Sequence, residues 1–413
     1  MDWVPPARLR PPLSGDMNCD VCIVGGGYTG LSAAIHLAAK GARITLVEAR
    51  SAGFAASGRN GGQIHTGFRR EQADLEKWLG PGHAGELWRL AKDARGLLDM
   101  LITQNKISCD LHQGILLAAH NSMALRALAR DAEHLHHAYD HPTKMLDADK
   151  VRALTGSKNY LGGRLDERGG QLHPLKFIRG LADAAEQYGV LIHENTPARS
   201  ISRNVKPQLR CDRGTISADH VLIACDAFCG TLVPELAQFI GHIEGFQIAT
   251  APLDAGLDNT VLPGGLAVAD TRFAPDYYRK TPNGRLIFGG GERYWTMPDD
   301  NALPVRPHLT AVFPQLAGAK IDHAWRGTIG VTRTRMPHAG KLSERILFAH
   351  GYSGQGLALS LLYGNAMAEA VLGHSEHFDS LARIPAKPFP GGAALRKPLM
   401  AAGLLLHKML DAI

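Results

Sequence analysis

Residues 19–48 read CDVCIVGGGYTGLSAAIHLAAKGARITLVE, and this stretch constrains the fold of the chain most strongly. An apolar run at residues 21–24 is followed at once by glycines with the spacing GxGxxG. Apolar side chains then recur at helical spacing as far as residue 40, and a second apolar run ends in Glu48. This order of strand, glycine turn, helix, strand and acid predicts a Rossmann-type unit that binds an adenine dinucleotide.

Each part of this unit has a physical task. Gly25 permits the tight turn, Gly27 lets the backbone approach a pyrophosphate, and Gly30 lets the helix pack closely on the sheet. The N-terminus of the helix then presents free N–H groups and a partial positive charge to two phosphates. Glu48 lies where a carboxylate can bind a ribose 2′-hydroxyl, and an acid at that position disfavours a 2′-phosphate.

Composition limits the classes of protein that remain. The 413 residues are 45% hydrophobic, which suits two domains or one domain with a large insertion. The formal charge of +6 comes from 45 basic and 39 acidic residues without a Lys/Arg block, so we expect no nucleic-acid partner. The six cysteines include one CxxC, at residues 19–22 on the first strand, and we expect no metal site.

The two ends of the sequence bear on location. Residues 1–12 contain prolines and arginines where a signal peptide needs an apolar core, and no apolar stretch is long enough to be a transmembrane segment. Residues 399–413 are predicted to form a helix docked on the protein, in preference to a membrane-surface anchor. We therefore expect a cytoplasmic protein.

Two further glycine-rich segments indicate which dinucleotide is bound. Residues 57–63 read SGRNGGQ and suit a close backbone approach to an extended cofactor. Residues 351–356 read GYSGQG and precede an apolar helix, so they form a second helix N-terminus that favours anions. A cofactor contacted at both of its ends is FAD more readily than a nicotinamide dinucleotide.

The remaining pattern predicts an interleaved organisation. Strand-like runs at residues 246–250, 277–280 and 285–289, with Asn283-Gly284 as a hairpin turn, predict an antiparallel sheet over the cofactor. The fold class is α/β: a Rossmann-like FAD-binding domain interleaved with an α+β substrate domain on a mostly antiparallel sheet. The FAD-binding domain is predicted at residues 1–80, 157–230 and 337–413, and the substrate domain at residues 81–156 and 231–336.

A family resemblance follows from the order of the motifs. GGGYTGLSAA, SGRNGGQ, GGQLHP at 169–174, DYYRKTPNGRLIFGGG at 276–291, KIDHAWRGTIG at 320–330, GYSGQG and PFPGG at 388–392 resemble the D-amino-acid oxidase superfamily of flavoproteins. Within it, the chain is most similar to the gamma-glutamylputrescine oxidase group. The resemblance implies an FAD-dependent amine oxidase that transfers a hydride from the carbon next to a neutral amine to the flavin, producing aldehyde, ammonia and hydrogen peroxide.

The resemblance also implies a set of residues that bind FAD. The glycine turn and Glu48 would hold the ADP half, the SGRNGGQ loop would lie near the pyrophosphate and flavin, and the GYSGQG turn would lie at the pyrimidine end of the flavin. The full set is Gly25, Gly27, Tyr28, Thr29, Gly30, Glu48, Ala49, Ser57, Gly58, Arg59, Asn60, Gly61, Gly62, Gln63, Ala198, Gly327, Gly351, Ser353, Gly354, Gln355 and Gly356.

Three positions depart from the pattern of the relatives. Gln355 replaces a usual histidine, which removes a positive charge near the flavin. Gly327 stands where sarcosine-oxidising relatives attach flavin to a cysteine, so we expect noncovalent FAD. Ile329 stands where amino-acid-oxidising relatives place a carboxylate-binding arginine, which favours an amine whose reacting carbon bears no carboxylate. The arginines that could substitute for it are Arg326, Arg333 and Arg335.

Aromatic and polar residues are candidates for the substrate site. Tyr277, Tyr278 and Trp325 are expected to line the amine pocket, with His65 and Gln247 as weaker candidates and Gln355 beside the flavin. Arg293 is the candidate for activating oxygen, by analogy with a lysine of sarcosine oxidases. The expected partners are a small-molecule amine and oxygen or another electron acceptor.

Three alternatives remain open. The first is an oxidase or dehydrogenase of D-amino acids, glycine or sarcosine, which requires one of the three arginines to reach the pocket. The second is a tRNA-modifying flavoprotein of related fold, suggested by the pI of about 9.0. The third is a flavin-binding subunit without activity of its own. The oligomeric state also stays open.

Overall fold

The structure is a computed structural model that describes residues 8–293, 297–392, 395–396 and 398–403. Its strands are β1 (Met17–Val24), β2 (Ile44–Val47), β3 (Gln63–Ile64), β4 (His112–Ala119), β5 (Lys144–Asp147), β6 (Gly162–Gln171), β7 (Leu191–His193), β8 (Ala198–Ile201), β9 (Gln208–Cys211), β10 (Gly214–Ile223), β11 (Ile240–Thr250), β12 (Ala267–Asp270), β13 (Tyr277–Lys280), β14 (Leu286–Arg293), β15 (Ile321–Thr332), β16 (His338–Ser343) and β17 (Ile346–His350). Its α-helices are α1 (Tyr28–Ala38), α2 (Ala56–Arg59), α3 (Gln72–Leu79), α4 (Pro81–Gln104), α5 (Ser122–Tyr139), α6 (Ala148–Thr155), α7 (Pro174–Gln187), α8 (Cys229–Leu232), α9 (Ala255–Thr260), α10 (Arg306–Val312), α11 (Leu357–Val371) and α12 (Glu376–Ala382).

These strands form two sheets. The first, which we call the parallel sheet, has the order β16-β17-β10-β1-β2-β7, with β9 paired to β10 and β8 paired to β9. Strands β17, β10, β1, β2 and β7 run parallel to one another, whereas β16 and β9 pair antiparallel with β17 and β10. Because both faces of such a sheet are covered, residues 21–24 of β1 and the whole of β2 are buried. The first predicted unit is therefore present as strand β1, helix α1 and strand β2.

The second sheet, which we call the antiparallel sheet, has the order β15-β11-β14-β13-β12-β4-β6-β3, with β5 paired to β6. Its pairs are antiparallel except for β12 with β4. The predicted hairpin joins β13 to β14, and Gly284 in its turn has φ +74°. One parallel and one mostly antiparallel sheet, interleaved along the chain, confirm the predicted fold class.

Three elements belong to a different sheet or core from the one that the predicted domain ranges imply. Strands β3 and β6 lie within the ranges predicted for the FAD-binding domain but pair in the antiparallel sheet. Helix α4 lies within the range predicted for the substrate domain, yet its Leu87 and Leu98 share a core with Leu31 of α1 and Leu361 of α11. The apolar stripe of α4 predicts burial of that face but does not say which core receives it.

Only the first part of the helix that is predicted at residues 399–413 lies within the described residues. Met400 and Ala401 pack against Ile243 of β11 and Val331 of β15, so the described part of this segment is docked on the antiparallel sheet. Residues 404–413 lie outside the described residues.

Helix α7 provides a test of pH-dependent stability. It begins at Pro174, and Nδ1 of His173 accepts a hydrogen bond from the backbone N–H of Lys176. Burial lowers the pKa of His173 from 6.5 to about 4, and the charge of Arg279 contributes further. The unfolded chain therefore binds more protons than the folded chain between pH 6.5 and 4, and the stability present above pH 6.5 is lost as the pH falls through this window.

Asparagine is also a good N-cap residue, so His173→Asn removes the titration while keeping a capping side chain. When the pH falls from 7.5 to 5, we expect the free energy of unfolding of the unsubstituted protein to fall by about 2 kcal/mol more than that of the variant. Urea denaturation at the two pH values measures this difference. A difference between the two proteins that stays the same at both pH values would contradict the assignment.

Candidate functional site

A cavity of about 950 Å³ is bounded by both sheets. On one side it is lined by Val24 and Val47, at the carboxyl ends of β1 and β2, and by Ala224 just after β10. On the other side it is lined by residues of β11, β12, β13 and β15. Ligands of doubly wound folds bind at this edge of the parallel strands, and the volume lies at the upper end of the range of ligand pockets.

The glycine turn leaves no room for side chains at the cavity wall. A Cβ on Gly25 would lie 2.6 Å from the carbonyl oxygen of Ala224, and Gly25 has φ +114°. A Cβ on Gly30 would lie 2.0 Å from the carbonyl oxygen of Gly25. Gly30 does not itself line the cavity, so its role is the close helix packing that the sequence predicts.

Glu48 is held in place by backbone groups. Its Oε2 accepts a hydrogen bond from Gly26 N at 2.8 Å and its Oε1 accepts one from Arg50 N at 2.9 Å. Burial raises the pKa of Glu48, while these N–H groups act in the opposite direction. Ala198 lines the same end of the cavity, which we call the Glu48 end.

The SGRNGGQ loop is anchored to the antiparallel sheet. The guanidinium of Arg59 donates to the carbonyl oxygens of Phe54 and Arg326, at 2.6 and 2.9 Å. The carbonyl oxygen of Arg59 accepts hydrogen bonds from Gln247 Nε2 at 2.5 Å and Trp325 Nε1 at 3.0 Å. The loop is thus anchored to β11 and β15, and its backbone forms a fixed wall of the cavity.

The N-terminus of α11 forms the opposite wall through Gly354, Gln355 and Gly356. Gln355 Nε2 donates to the carbonyl oxygen of Gly67 at 2.9 Å, which ties this turn to the segment after β3. Ser360 of α11 also lines the cavity, and its buried Oγ has no hydrogen-bond partner within the described residues. Two helix N-termini and an unsatisfied hydroxyl suit a long anionic ligand such as a dinucleotide.

The end of the cavity lined by the antiparallel sheet, which we call the Tyr277 end, contains aromatic and apolar groups. The Tyr277 ring fits against Gly289, where a Cβ would lie 2.2 Å from Cε2, and against Gly61, where a Cβ would lie 2.8 Å from Cδ2. Ile329 lines the same cavity. Burial lowers the pKa of His65 to about 4, with a further contribution from the charge of Arg69, so its imidazole is neutral at physiological pH.

Most of the predicted site residues are brought together here. Those that line the cavity are Gly25, Gly27, Tyr28, Thr29, Glu48, Ala49, Ser57, Arg59, Asn60, Gly61, Gly62, Gln63, His65, Ala198, Gln247, Tyr277, Gly327, Ser353, Gly354, Gln355 and Gly356. Gly30, Gly58 and Gly351 do not line it. Gly58 packs against the carbonyl oxygen of Gly53, and Gly351 N donates to Asp226 Oδ1 at 2.7 Å.

The prediction that Tyr278 lines the pocket is wrong. Successive residues of a strand point to opposite faces, so only one of Tyr277 and Tyr278 can face the cavity. Tyr278 is fully buried on the other face of β13, stacked on Phe288 at 5.4 Å and packed edge-on against Phe313. It is a core residue of the antiparallel sheet.

The predictions for Trp325 and Arg293 are also wrong. Trp325 does not line the large cavity; together with Arg326 it borders a separate pocket of about 470 Å³, and its indole N–H donates to the carbonyl oxygen of Arg59. Arg293 is exposed at the end of β14 and does not line the large cavity. Of the three arginines considered as substitutes at Ile329, Arg335 reaches the cavity, whereas Arg333 is exposed.

Several cavity residues have no signal in the sequence. Asp226 is a half-buried residue of the wall with φ +40°, and burial raises the pKa of its carboxyl. Arg69, Arg272 and Glu292 line the Tyr277 end. A single charged residue outside a motif resembles any surface residue, so only the tertiary structure identifies these four.

Neither a metal site nor a membrane-spanning helix is found in the part of the chain that the structure describes. Across residues 8–293, 297–392, 395–396 and 398–403, no group of three or more His, Cys, Asp or Glu side chains is placed to hold a metal ion. Within the same ranges, every helix is too short or too polar to cross a membrane.

Comparison with protein families and characterised proteins points to one class. The family model described as FAD dependent oxidoreductase, abbreviated DAO, matches residues 20–370. Gamma-glutamylputrescine oxidoreductase of Escherichia coli (strain K12) is 37% identical over 403 residues, which cover 97% of this chain and 95% of that protein. Glycine oxidase of Bacillus licheniformis is 26% identical over 368 residues, which cover 86% of this chain and 93% of that protein.

Solved structures share the fold. Glycine oxidase from Geobacillus kaustophilus superposes with a TM-score of 0.74 at 20% identity, covering 86% of this chain and 95% of that chain. L-proline dehydrogenase from P. horikoshii superposes with a TM-score of 0.73 at 20% identity, covering 87% of this chain and 94% of that chain. The fold of this chain is thus shared with that of both solved structures.

Proposed function

The chain belongs to the FAD-dependent oxidoreductase family, and from this premise we propose that it oxidises a primary amine similar to gamma-glutamylputrescine. Ile329 in the cavity wall carries the proposal, because an isoleucine cannot bind a carboxylate at a position where amino-acid-oxidising relatives are expected to have an arginine. The near full-length relative named for gamma-glutamylputrescine supports the same substrate.

FAD fits the cavity. We assign its ribose to Glu48, its pyrophosphate to the N-terminus of α1, and its flavin to the region between the SGRNGGQ loop and the N-terminus of α11. Gly327 offers no sulfur for a covalent bond. The cavity residue Cys225 lies near Glu48, at the other end of the cavity, and burial, with a further contribution from the charge of Glu48, raises the pKa of its thiol. We therefore propose that FAD is held noncovalently.

Bound FAD supplies the acceptor for a hydride from the amine carbon, after which water converts the imine to an aldehyde and ammonia, and oxygen takes up the two electrons as hydrogen peroxide. The protein contributes by setting the state of the amine. Tyr277 and Ile329 form an apolar wall that removes water from a bound amine and favours its neutral form. His65, being neutral, adds no positive charge that would oppose loss of a hydride.

A second candidate is oxidation of an amino acid. The observation in its favour is Arg335, which lines the cavity and could bind a carboxylate next to the reacting carbon. The two candidates differ in where the carboxylate lies on the substrate, so a comparison of substrates separates them.

The test is a spectroscopic screen of the FAD-loaded protein without oxygen. We expect gamma-glutamylputrescine to bleach the flavin absorbance, and glycine, D-alanine and proline to leave it unchanged. Oxygen admitted afterwards should restore the absorbance and produce hydrogen peroxide, and acid precipitation should release all of the flavin. Bleaching by amino acids but not by primary amines would replace this proposal with the second candidate.

A further inference from the structure

We propose that Arg69 and Arg335 form a carboxylate-binding site for the substrate at the Tyr277 end of the cavity. This inference rests on the proposed function, because it assumes that the ligand at this end is the substrate amine. It adds a location for a carboxylate that is remote from the reacting carbon of that amine.

The first support is a difference between arginines that line the cavity. Three of them interact with an acid or an aromatic ring, whereas Arg69 and Arg335 have no acidic partner in an ion pair within the part of the chain that the structure describes. Arg164 forms an ion pair with Asp131, and Arg272 forms one with Asp270. Arg70 stacks on the ring of Trp78 at 5.1 Å. By contrast, the guanidinium groups of Arg69 and Arg335 make no hydrogen bond or ion pair with any residue in the described ranges.

The second support is the position of Arg69. Its surface is exposed, yet it is surrounded by protein closely enough for burial to lower the pKa of its guanidinium. Exposure of the side chain and burial by surrounding protein are compatible because the exposed surface of Arg69 faces the cavity that this residue lines. The charge of Arg335 lowers the pKa of Arg69 further, and Glu292 opposes that effect, so the two guanidinium groups lie within electrostatic range of each other.

Arg335 is held in a fixed position by the turn after β15. Its backbone N–H donates to the carbonyl oxygen of Thr332 at 3.2 Å, and its φ of +61° lies in the left-handed region that is uncommon for side chains other than glycine. Its guanidinium lies 4.7 Å from the ring centroid of Phe273. Stacking leaves the edge of the guanidinium, with its N–H donors, available to a ligand.

The ligand chemistry follows from these groups. Arg69 and Arg335 line the same cavity and lie within electrostatic range of each other, and Glu292 is the acid that acts on Arg69. The two guanidinium groups leave a positive site that an anion would neutralise. The planar fork of an arginine matches the two oxygens of a carboxylate. The FAD pyrophosphate is not the anion, because it is assigned to the N-terminus of α1 at the opposite end of the cavity.

The experiment compares Arg69→Gln and Arg335→Gln with Arg70→Gln, in which the neighbouring stacked arginine is changed. The probes are gamma-glutamylputrescine and its analogue that has hydrogen in place of the carboxylate. For the first substrate, we expect KM to rise at least about tenfold in the Arg69 and Arg335 variants with kcat within about threefold. For the analogue, KM should change little in all three variants.

A binding measurement separates failure of this site from failure of the proposed function. Glutarate, which cannot be oxidised, is titrated into each FAD-loaded protein while the visible spectrum of the flavin is recorded. A Kd raised at least about tenfold in Arg69→Gln and Arg335→Gln, and unchanged in Arg70→Gln, supports the site even if no amine reduces the flavin. Equal Kd values in all the proteins, or inorganic phosphate binding as tightly as glutarate, would overturn it.

Discussion

Gly30→Ala is expected to abolish FAD binding under ordinary conditions. The added Cβ would lie 2.0 Å from the carbonyl oxygen of Gly25, so either helix α1 or the glycine turn must move. Movement of either one displaces the N–H groups that are assigned to the pyrophosphate. We expect the Kd for FAD to rise at least about 100-fold, and the free energy of unfolding to fall by about 3 kcal/mol.

Gly96→Ala is the matched control for this substitution. Gly96 also lies within a helix, α4, but a Cβ there meets no atom within 4 Å. Alanine should therefore stabilise the protein by up to about 1 kcal/mol and leave FAD binding unchanged. Fluorescence titration with FAD and thermal denaturation measure both properties. Full flavin content in Gly30→Ala would show that the turn is not the phosphate site.

Tyr277→Ala is expected to lower kcat/KM for the amine about 100-fold. The ring fills the space between Gly61 and Gly289 and forms part of the wall that is assigned to the substrate. Its removal admits water and lets the amine move away from the reactive geometry, and small displacements have large effects on rate. Tyr277→Phe keeps the ring, so its kcat/KM should stay within about tenfold of that of the unsubstituted enzyme.

Tyr278→Phe separates the roles of the adjacent tyrosines. The hydroxyl of Tyr278 lies 3.4 Å from that of Tyr160 within the core, away from the cavity. We expect unchanged steady-state kinetics and a free energy of unfolding that is lower by about 1 kcal/mol, because a buried hydroxyl loses its partner. Impaired turnover in Tyr278→Phe, together with normal turnover in Tyr277→Ala, would reverse the assignment made from the strand faces.

Local sequence was sufficient to predict how the Glu48 end of the cavity is built. The glycine turn and Glu48 belong to one continuous β1–α1–β2 unit, so their spacing along the chain carries their geometry. The SGRNGGQ and GYSGQG segments could be predicted for the same reason, since each is a short loop at a helix end. The predicted cofactor, FAD, is confirmed by membership of the family.

The Tyr277 end of the cavity could be predicted only in part. The strand β13 was evident from the sequence, but the YYRK run does not reveal which face meets the cavity, because both tyrosines are apolar enough for a core. Arg69 and Arg335 are far apart in the sequence, and their proximity depends on how β3 and β15 are placed. Whether an arginine has an acidic partner is likewise decided by packing, so no local pattern marks an unpaired one.

The most direct test of the account is a single turnover of the FAD-loaded enzyme without oxygen. One equivalent of gamma-glutamylputrescine, with deuterium on the carbon that bears the primary amine, is mixed with the enzyme while flavin absorbance is followed. We expect complete reduction of the flavin, at a rate several-fold slower than with the undeuterated amine, and one equivalent each of aldehyde and ammonia. Flavin that stays oxidised, or reduction at the same rate with both isotopes and no aldehyde, would contradict amine oxidation in this cavity.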